Sequence, residues 1–182
     1  MISVSLLIQI GVAQDQSPNA IEDITGVFSI EKFIELWGNS SCSACAQELL
    51  DAHNEYRREV GSPDLIWSYE LESGAQKWAD YLASNGLFEH SIGKEYGENI
   101  WWGWGNTYTS TQMVGYWGAE KAKFKNGPFS DTMNEVGHYT QIIWKDTDEV
   151  GCAVSQDENN GAYYLVCRYY PPGNVYGEYP IY

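Results

Sequence analysis

Basic side chains are scarce in this sequence. Lysine and arginine together number 10 against 25 aspartates and glutamates, for a formal net charge of −15. That balance argues against nucleic acid as a partner, because such binding leans on Lys and Arg neutralising phosphate. It argues equally against electrostatic adhesion to anionic lipid, while leaving uptake of a neutral lipid into an apolar groove open. Histidine is rarer still, with 3 residues, so any imidazole chemistry must come from His53, His90 or His138. Long hydrophobic runs are lacking as well. The apolar stretch over residues 2–10, followed by Gly11-Val12-Ala13, is too short to span a bilayer, and no transmembrane segment is expected elsewhere. Its length and small-residue end fit the core of a secretory signal over residues 1–13, cleaved near Ala13-Gln14, although no basic residue precedes it; an ordinary strand is the alternative. Neither a His-Glu-x-x-His nor a Gly-x-Ser-x-Gly motif occurs, so two common hydrolase signatures are missing. No second Cys-x-x-Cys accompanies Cys42-Ser43-Ala44-Cys45, which favours a local or intermolecular disulfide there over a metal half-site or redox pair.

What is present suffices for one globular domain. The 182 residues are 43% hydrophobic and include 8 tryptophans and 14 tyrosines, large rigid groups suited to packing and contact. Four cysteines on an exported chain favour disulfides, and Cys152 and Cys167 flank an apparent hairpin across which they could meet. By the chain-entropy model such a loop closure stabilises by roughly 3 kcal/mol. Asn39-Ser40-Ser41 is a glycosylation sequon, usable only if the chain is exported.

Residues 14–45 read as an extension. A polar, acidic start gives way to a short amphipathic helix with Ile30, Phe33, Ile34 and Trp37 on one face, ended by Gly38. A second helix is expected over 46–60, with Ser43 as a plausible N-cap. It turns Leu49, Leu50, His53, Tyr56 and Val60 inward, which makes His53 a hydrogen-bonded core histidine and not a ligand. Ser68 caps a third helix that reaches Asn85-Gly86, striped by Leu71, Ala75, Trp78, Ala79 and Leu82. Residues 88–107, rich in glycine and aromatics, read as a loop. A fourth helix is expected over 109–125, with Met113, Val114, Trp117, Lys121 and Phe124 on one side and Glu120 bordering that stripe. Residues 150–155 and 162–169 then read as strands joined through Asn159-Asn160-Gly161. Helices first and strands later imply an α+β layered domain.

Two histidines sit in suggestive company. His138, flanked by Gly137, precedes the apolar run Ile142-Ile143-Trp144; His90 lies shortly before Gly97-Glu98-Asn99. With nearby carboxylates they are candidates to converge on one polar pocket.

Four segments in order carry a family resemblance: His53-Asn54-Glu55-Tyr56-Arg57, Gly97-Glu98-Asn99-Ile100, Gly137-His138-Tyr139-Thr140-Gln141-Ile142-Ile143-Trp144, and Cys167-Arg168-Tyr169-Tyr170-Pro171-Pro172-Gly173-Asn174. Over residues 46–182 the chain resembles the CAP superfamily (the SCP domain), which groups cysteine-rich secretory proteins, antigen 5 and pathogenesis-related 1 proteins. The resemblance implies a three-layer α-β-α sandwich around an antiparallel sheet with a large open cavity. It implies that His90, Glu98, Glu120 and His138 line that cavity, and that Cys152 pairs with Cys167. It does not reach Cys42, Cys45 or the extension. With four cysteines and no cysteine-rich tail, the chain departs from plant defence members and from venom members, so channel block is not implied.

These residues set the expectations for function. His90 and His138 suit weak binding of a divalent metal such as zinc, completed by water, with Glu98 and Glu120 holding the rings. No cofactor is required. Tyr96, Trp101, Trp102 and Trp104 put four aromatics in one glycine-rich span, suitable for a sterol, a fatty acid or a protein contact. The expected role is non-enzymatic: extracellular binding of a sterol or other lipid, modulated by metal, in a setting such as defence. A metal-dependent protease or esterase is the alternative, using water activated beside Glu98 or Glu120. The third option is a ligand for an unknown extracellular protein, with the four polar residues acting as scaffold.

Overall fold

A computed structural model describes residues 43–93, 95–105 and 108–182. The expected signal, the 29–38 helix, the sequon and Cys42 lie outside them. The elements run α1 (Ser43–Val60), β1 (Ile66–Trp67), α2 (Tyr69–Asn85), β2 (Gly97–Gly103), α3 (Ser110–Gly118), α4 (Gly137–Ile143), β3 (Glu149–Gln156) and β4 (Tyr163–Tyr170). Two 3₁₀ turns, Ala119–Lys123 and Asp131–Val136, lie between α3 and α4.

The sheet order is β1-β3-β4-β2. β3, β4 and β2 are antiparallel, whereas β1 runs parallel to β3, so the sheet is mixed. Strand alternation divides the core. Tyr164 and Val166 of β4, Ala153 of β3 and Ile100 of β2 face α2, where they pack on Ala75, Ala79, Leu82 and Ala83. Leu165, Cys167, Tyr169, Val150, Cys152 and Trp101 face α1, α3 and α4 through Leu49, Ala52, Met113, Val114, Trp117 and Ile142. The three layers are therefore α2, sheet, and the remaining helices. Small side chains let α2 close on the sheet. At Gly151 a β-carbon would overlap the backbone of Ser68 and Glu72, so only glycine allows that approach. Cys152 and Cys167 are opposite one another in the ladder and form a disulfide.

The polar face of α1 is buried for a reason. Asn54 clamps Leu65 from both sides, donating to its carbonyl at 3.1 Å and accepting from its N–H at 2.7 Å. Arg57, fully buried, donates to the carbonyls of Pro63, Ile142, Trp144 and Thr147. These carbonyls belong to two loops and the last turn of α4, and a planar fork of five donors meets several at once.

Three expectations are corrected. Residues 88–107 are not one loop: residues 97–103 form edge strand β2, paired along its length with β4. The fourth helix keeps its α form only to Gly118 and tightens into the 3₁₀ turn that carries Glu120. A β-carbon at Gly118 would run into the Tyr56 ring of α1, so this end of the helix lies hard against its neighbour. Helix α1 begins at Ser43, ahead of the expected start at 46.

Candidate functional site

Each of the two candidate histidines meets one carboxylate. His90, exposed on the segment after α2, places Nδ1 at 3.0 Å from Oε1 of Glu98 on β2. His138, in the first turn of α4, places Nδ1 at 2.7 Å from Oε1 of Glu120. An ionised carboxylate only accepts, so Nδ1 carries the hydrogen in both rings. Each Nε2 is left with a lone pair, the atom a metal or a proton would take.

The two carboxylates are themselves held. Glu98 also accepts from the Ser91 N–H at 2.9 Å and the Ser91 hydroxyl at 2.6 Å, with Arg168 Nε at 3.5 Å. Burial would raise its pKa, but the hydrogen bonds from His90 and Ser91 outweigh it and hold the carboxyl below its usual range. The Arg168 guanidinium lies over the Tyr96 ring, 4.1 Å from its centroid. Glu120 spans the start of α4, accepting the Tyr139 N–H at 3.0 Å with Oε2. The His138 ring lies nearly parallel to Trp117, with centroids 6.0 Å apart and planes at 14°.

Consecutive residues of β2 serve the two pairs. Glu98 points to the α2 side with Arg168, and Asn99 points to the other side, where its amide donates to the His138 carbonyl and to the Tyr169 hydroxyl, each at 3.1 Å. From Tyr169 the chain continues inward. Its hydroxyl donates to His53 Nε2 at 2.9 Å, and His53 Nδ1–H donates to the Leu49 carbonyl at 2.7 Å. One polar line thus runs through residues from all four recognised segments. Burial lowers the His53 pKa to about 4 and raises that of Tyr169 well above the ordinary phenol value, so both are neutral when folded.

That assignment has a pH consequence. Above pH 6.5 His53 is neutral both folded and unfolded and adds no pH dependence. Between pH 6.5 and 4 the unfolded chain takes up a proton that the folded chain refuses, so stability is lost as the pH is lowered through that window. A shift of this size corresponds to about 3 kcal/mol. Urea unfolding at pH 7, 5.5 and 4 should show that loss, and His53→Gln should flatten it. An unchanged slope in the variant would contradict the assignment.

The aromatic span divides. Trp101 is buried, stacked on Tyr116 and edge-on to Tyr108. Tyr96 is covered by Arg168. Trp102 and Trp104 are 49% and 62% exposed, and Trp104 is fixed by its Nε1–H to the Asn160 carbonyl at 2.7 Å. The sequence reading overlooked Ser91, Asn99, Trp117, Arg168 and Tyr169 as partners of the site. Two are neighbours of the chosen residues, Asn99 beside Glu98 and Ser91 beside His90, and adjacency was the signal available. His53 also lies near Cys152 and Cys167, but the sulfurs are bonded to each other and both ring nitrogens are occupied, so that trio holds no metal.

A three-layer α-β-α domain with two histidine–carboxylate pairs beside one edge strand is the class this structure defines. The family model for cysteine-rich secretory proteins (CAP) matches residues 50–169, and the chain belongs to that family. Pathogenesis-related protein 1C of Nicotiana tabacum is 41% identical over 143 residues, covering 77% of this chain and 84% of the relative. Secreted protein RBT4 of Candida albicans is 38% identical over 136 residues, covering 74% of this chain and 37% of that protein. Among solved structures, NaASP2 with Zn2+ superposes with a TM-score of 0.69 at 25% identity, covering 79% of this chain and 88% of that one. Among the described residues no helix is long and apolar enough to cross a membrane.

Proposed function

We propose that this protein acts outside the cell as a non-enzymatic, defence-related binding protein. It takes a sterol or another neutral lipid at its exposed aromatic span, and a divalent cation such as zinc at His90 and His138 modulates that binding. The observation that carries the reading is the economy of β2. One strand holds Glu98, which contacts the His90 ring, and Asn99, which donates to the His138 backbone carbonyl, and leads within a few residues to Trp102 and Trp104. Phe88 and Ile92, also exposed, flank His90 in sequence. Exposed aromatic side chains at Trp102 and Trp104 on a strongly anionic protein suit a neutral partner. The donor types suit zinc: each histidine has an Nε2 lone pair and a carboxylate on Nδ1, and water would complete the coordination. The extracellular setting is supported by the pathogenesis-related and secreted relatives, and the zinc by a neighbour solved with that ion.

Equilibrium binding of radiolabelled cholesterol tests this reading. Wild type should bind saturably, and unlabelled sterol should compete. Trp102→Ala with Trp104→Ala should abolish binding, while His90→Ala with His138→Ala should retain uptake and lose only its response to zinc. Competition by fatty acid alone would replace the sterol by an acyl chain. Absence of any lipid binding would overturn the reading in favour of a protein partner, and ester or peptide hydrolysis lost in the histidine variants would favour the hydrolase.

A further inference from the structure

His138 is fixed from two directions by consecutive residues of β2. Asn99 is 2% exposed and donates one amide hydrogen to the His138 carbonyl and the other to Tyr169. Ile100, the next residue, accepts the Trp117 Nε1–H at 3.2 Å, and Trp117 is the ring stacked on His138. The direction of the Asn99 amide is set in turn, because the Tyr169 hydroxyl commits its own hydrogen to His53 and must accept from Asn99. Glu120 fixes the ring's rotation and tautomer. The backbone that carries the ring is fixed by β2.

We propose that Asn99 is a positioning residue for His138, setting where the imidazole presents its open nitrogen through the backbone carbonyl it holds. His90 has no comparable support from Asn99, and its side chain is 57% exposed against 36% for His138. Removing Asn99 therefore disturbs one histidine selectively. The zinc part of this inference rests on the cation reading above; the positioning part does not.

The experiment is a double-mutant cycle on zinc affinity, read by competition with a chromophoric chelator, beside the imidazole ¹H–¹⁵N spectrum of the metal-free protein. Asn99→Ala should weaken zinc about tenfold, as loss of an outer partner of a ligand does, and should add almost nothing when His138 is already alanine. An equal loss in both backgrounds would mean general loosening and would overturn the proposal. In the spectrum the His138 Nδ1–H resonance should be sharp in wild type and shifted or broadened in Asn99→Ala; an unchanged resonance also overturns it. Should wild type take up no zinc, the cation reading fails and the spectrum alone decides the positioning. If Asn99→Ala does not fold, Tyr169→Phe frees the Asn99 amide from the core side and should move the same resonance; no movement there counts against the proposal.

Discussion

Replacing Arg57 by alanine will lower the unfolding free energy by about 3–5 kcal/mol, the range seen when one partner of a buried charged network is removed. The guanidinium is fully buried and donates to carbonyls from two loops and the end of α4. Desolvation draws its pKa down to about 10, still high enough for full charge at neutral pH. Truncation leaves the carbonyls of Pro63, Ile142, Trp144 and Thr147 without this donor and opens a void. Each unsatisfied carbonyl costs about 1–3 kcal/mol if it stays dry, and relaxation of the loops keeps the total below the sum. Arg57→Lys should recover little, because one ammonium cannot span carbonyls arranged around a planar fork. Urea unfolding followed by circular dichroism reads both variants; a loss below about 1 kcal/mol for Arg57→Ala would show that water replaces the side chain freely.

Glu120→Gln will weaken the proposed zinc binding about 10- to 100-fold while leaving the fold in place. The carboxylate now accepts from both the His138 ring and the Tyr139 N–H. A glutamine can still cap Tyr139 through its oxygen, but its amide can donate to His138 Nδ1. That permits the tautomer in which Nε2 carries the hydrogen and has no lone pair to offer. Chelator competition should show the loss with an unchanged melting temperature. Undiminished affinity would mean that the metal, if bound, does not use the Nε2 atom of His138.

The sequence made the periodic parts of this fold legible and the short parts obscure. Helix α2 carries an apolar stripe and α1 a mixed one that includes His53, Gly86 ends α2 in the left-handed conformation with φ of 62°, and β3 with β4 shows hairpin periodicity around Gly161. β2 reads as loop in the sequence because its alternation is brief and bounded by Gly97 and Gly103. Its strand character comes from pairing with β4, a contact that no local pattern encodes. Helix α4, with seven residues, is too short to display a helical stripe. The candidate site behaved likewise. His90, Glu98, Glu120 and His138 were nameable from motif position, but their division into two pairs, and the Asn99–Tyr169–His53 line behind one of them, depend on which face of β2 each residue takes. Within the aromatic span the expectation that Trp101 or Trp102 packs in the core resolves by strand alternation: Trp101 faces the helices and is core, whereas Trp102, one residue on, faces out.

In the proposed function a cation at the histidines and a lipid at the aromatic span communicate through β2. The most direct test is the cholesterol affinity of the wild-type protein measured with saturating zinc and again with chelator. Coupled sites differ by about fivefold or more between the two conditions, and that is the result expected here. Cholesterol bound with identical affinity in both would contradict the coupling and leave two independent sites on one strand.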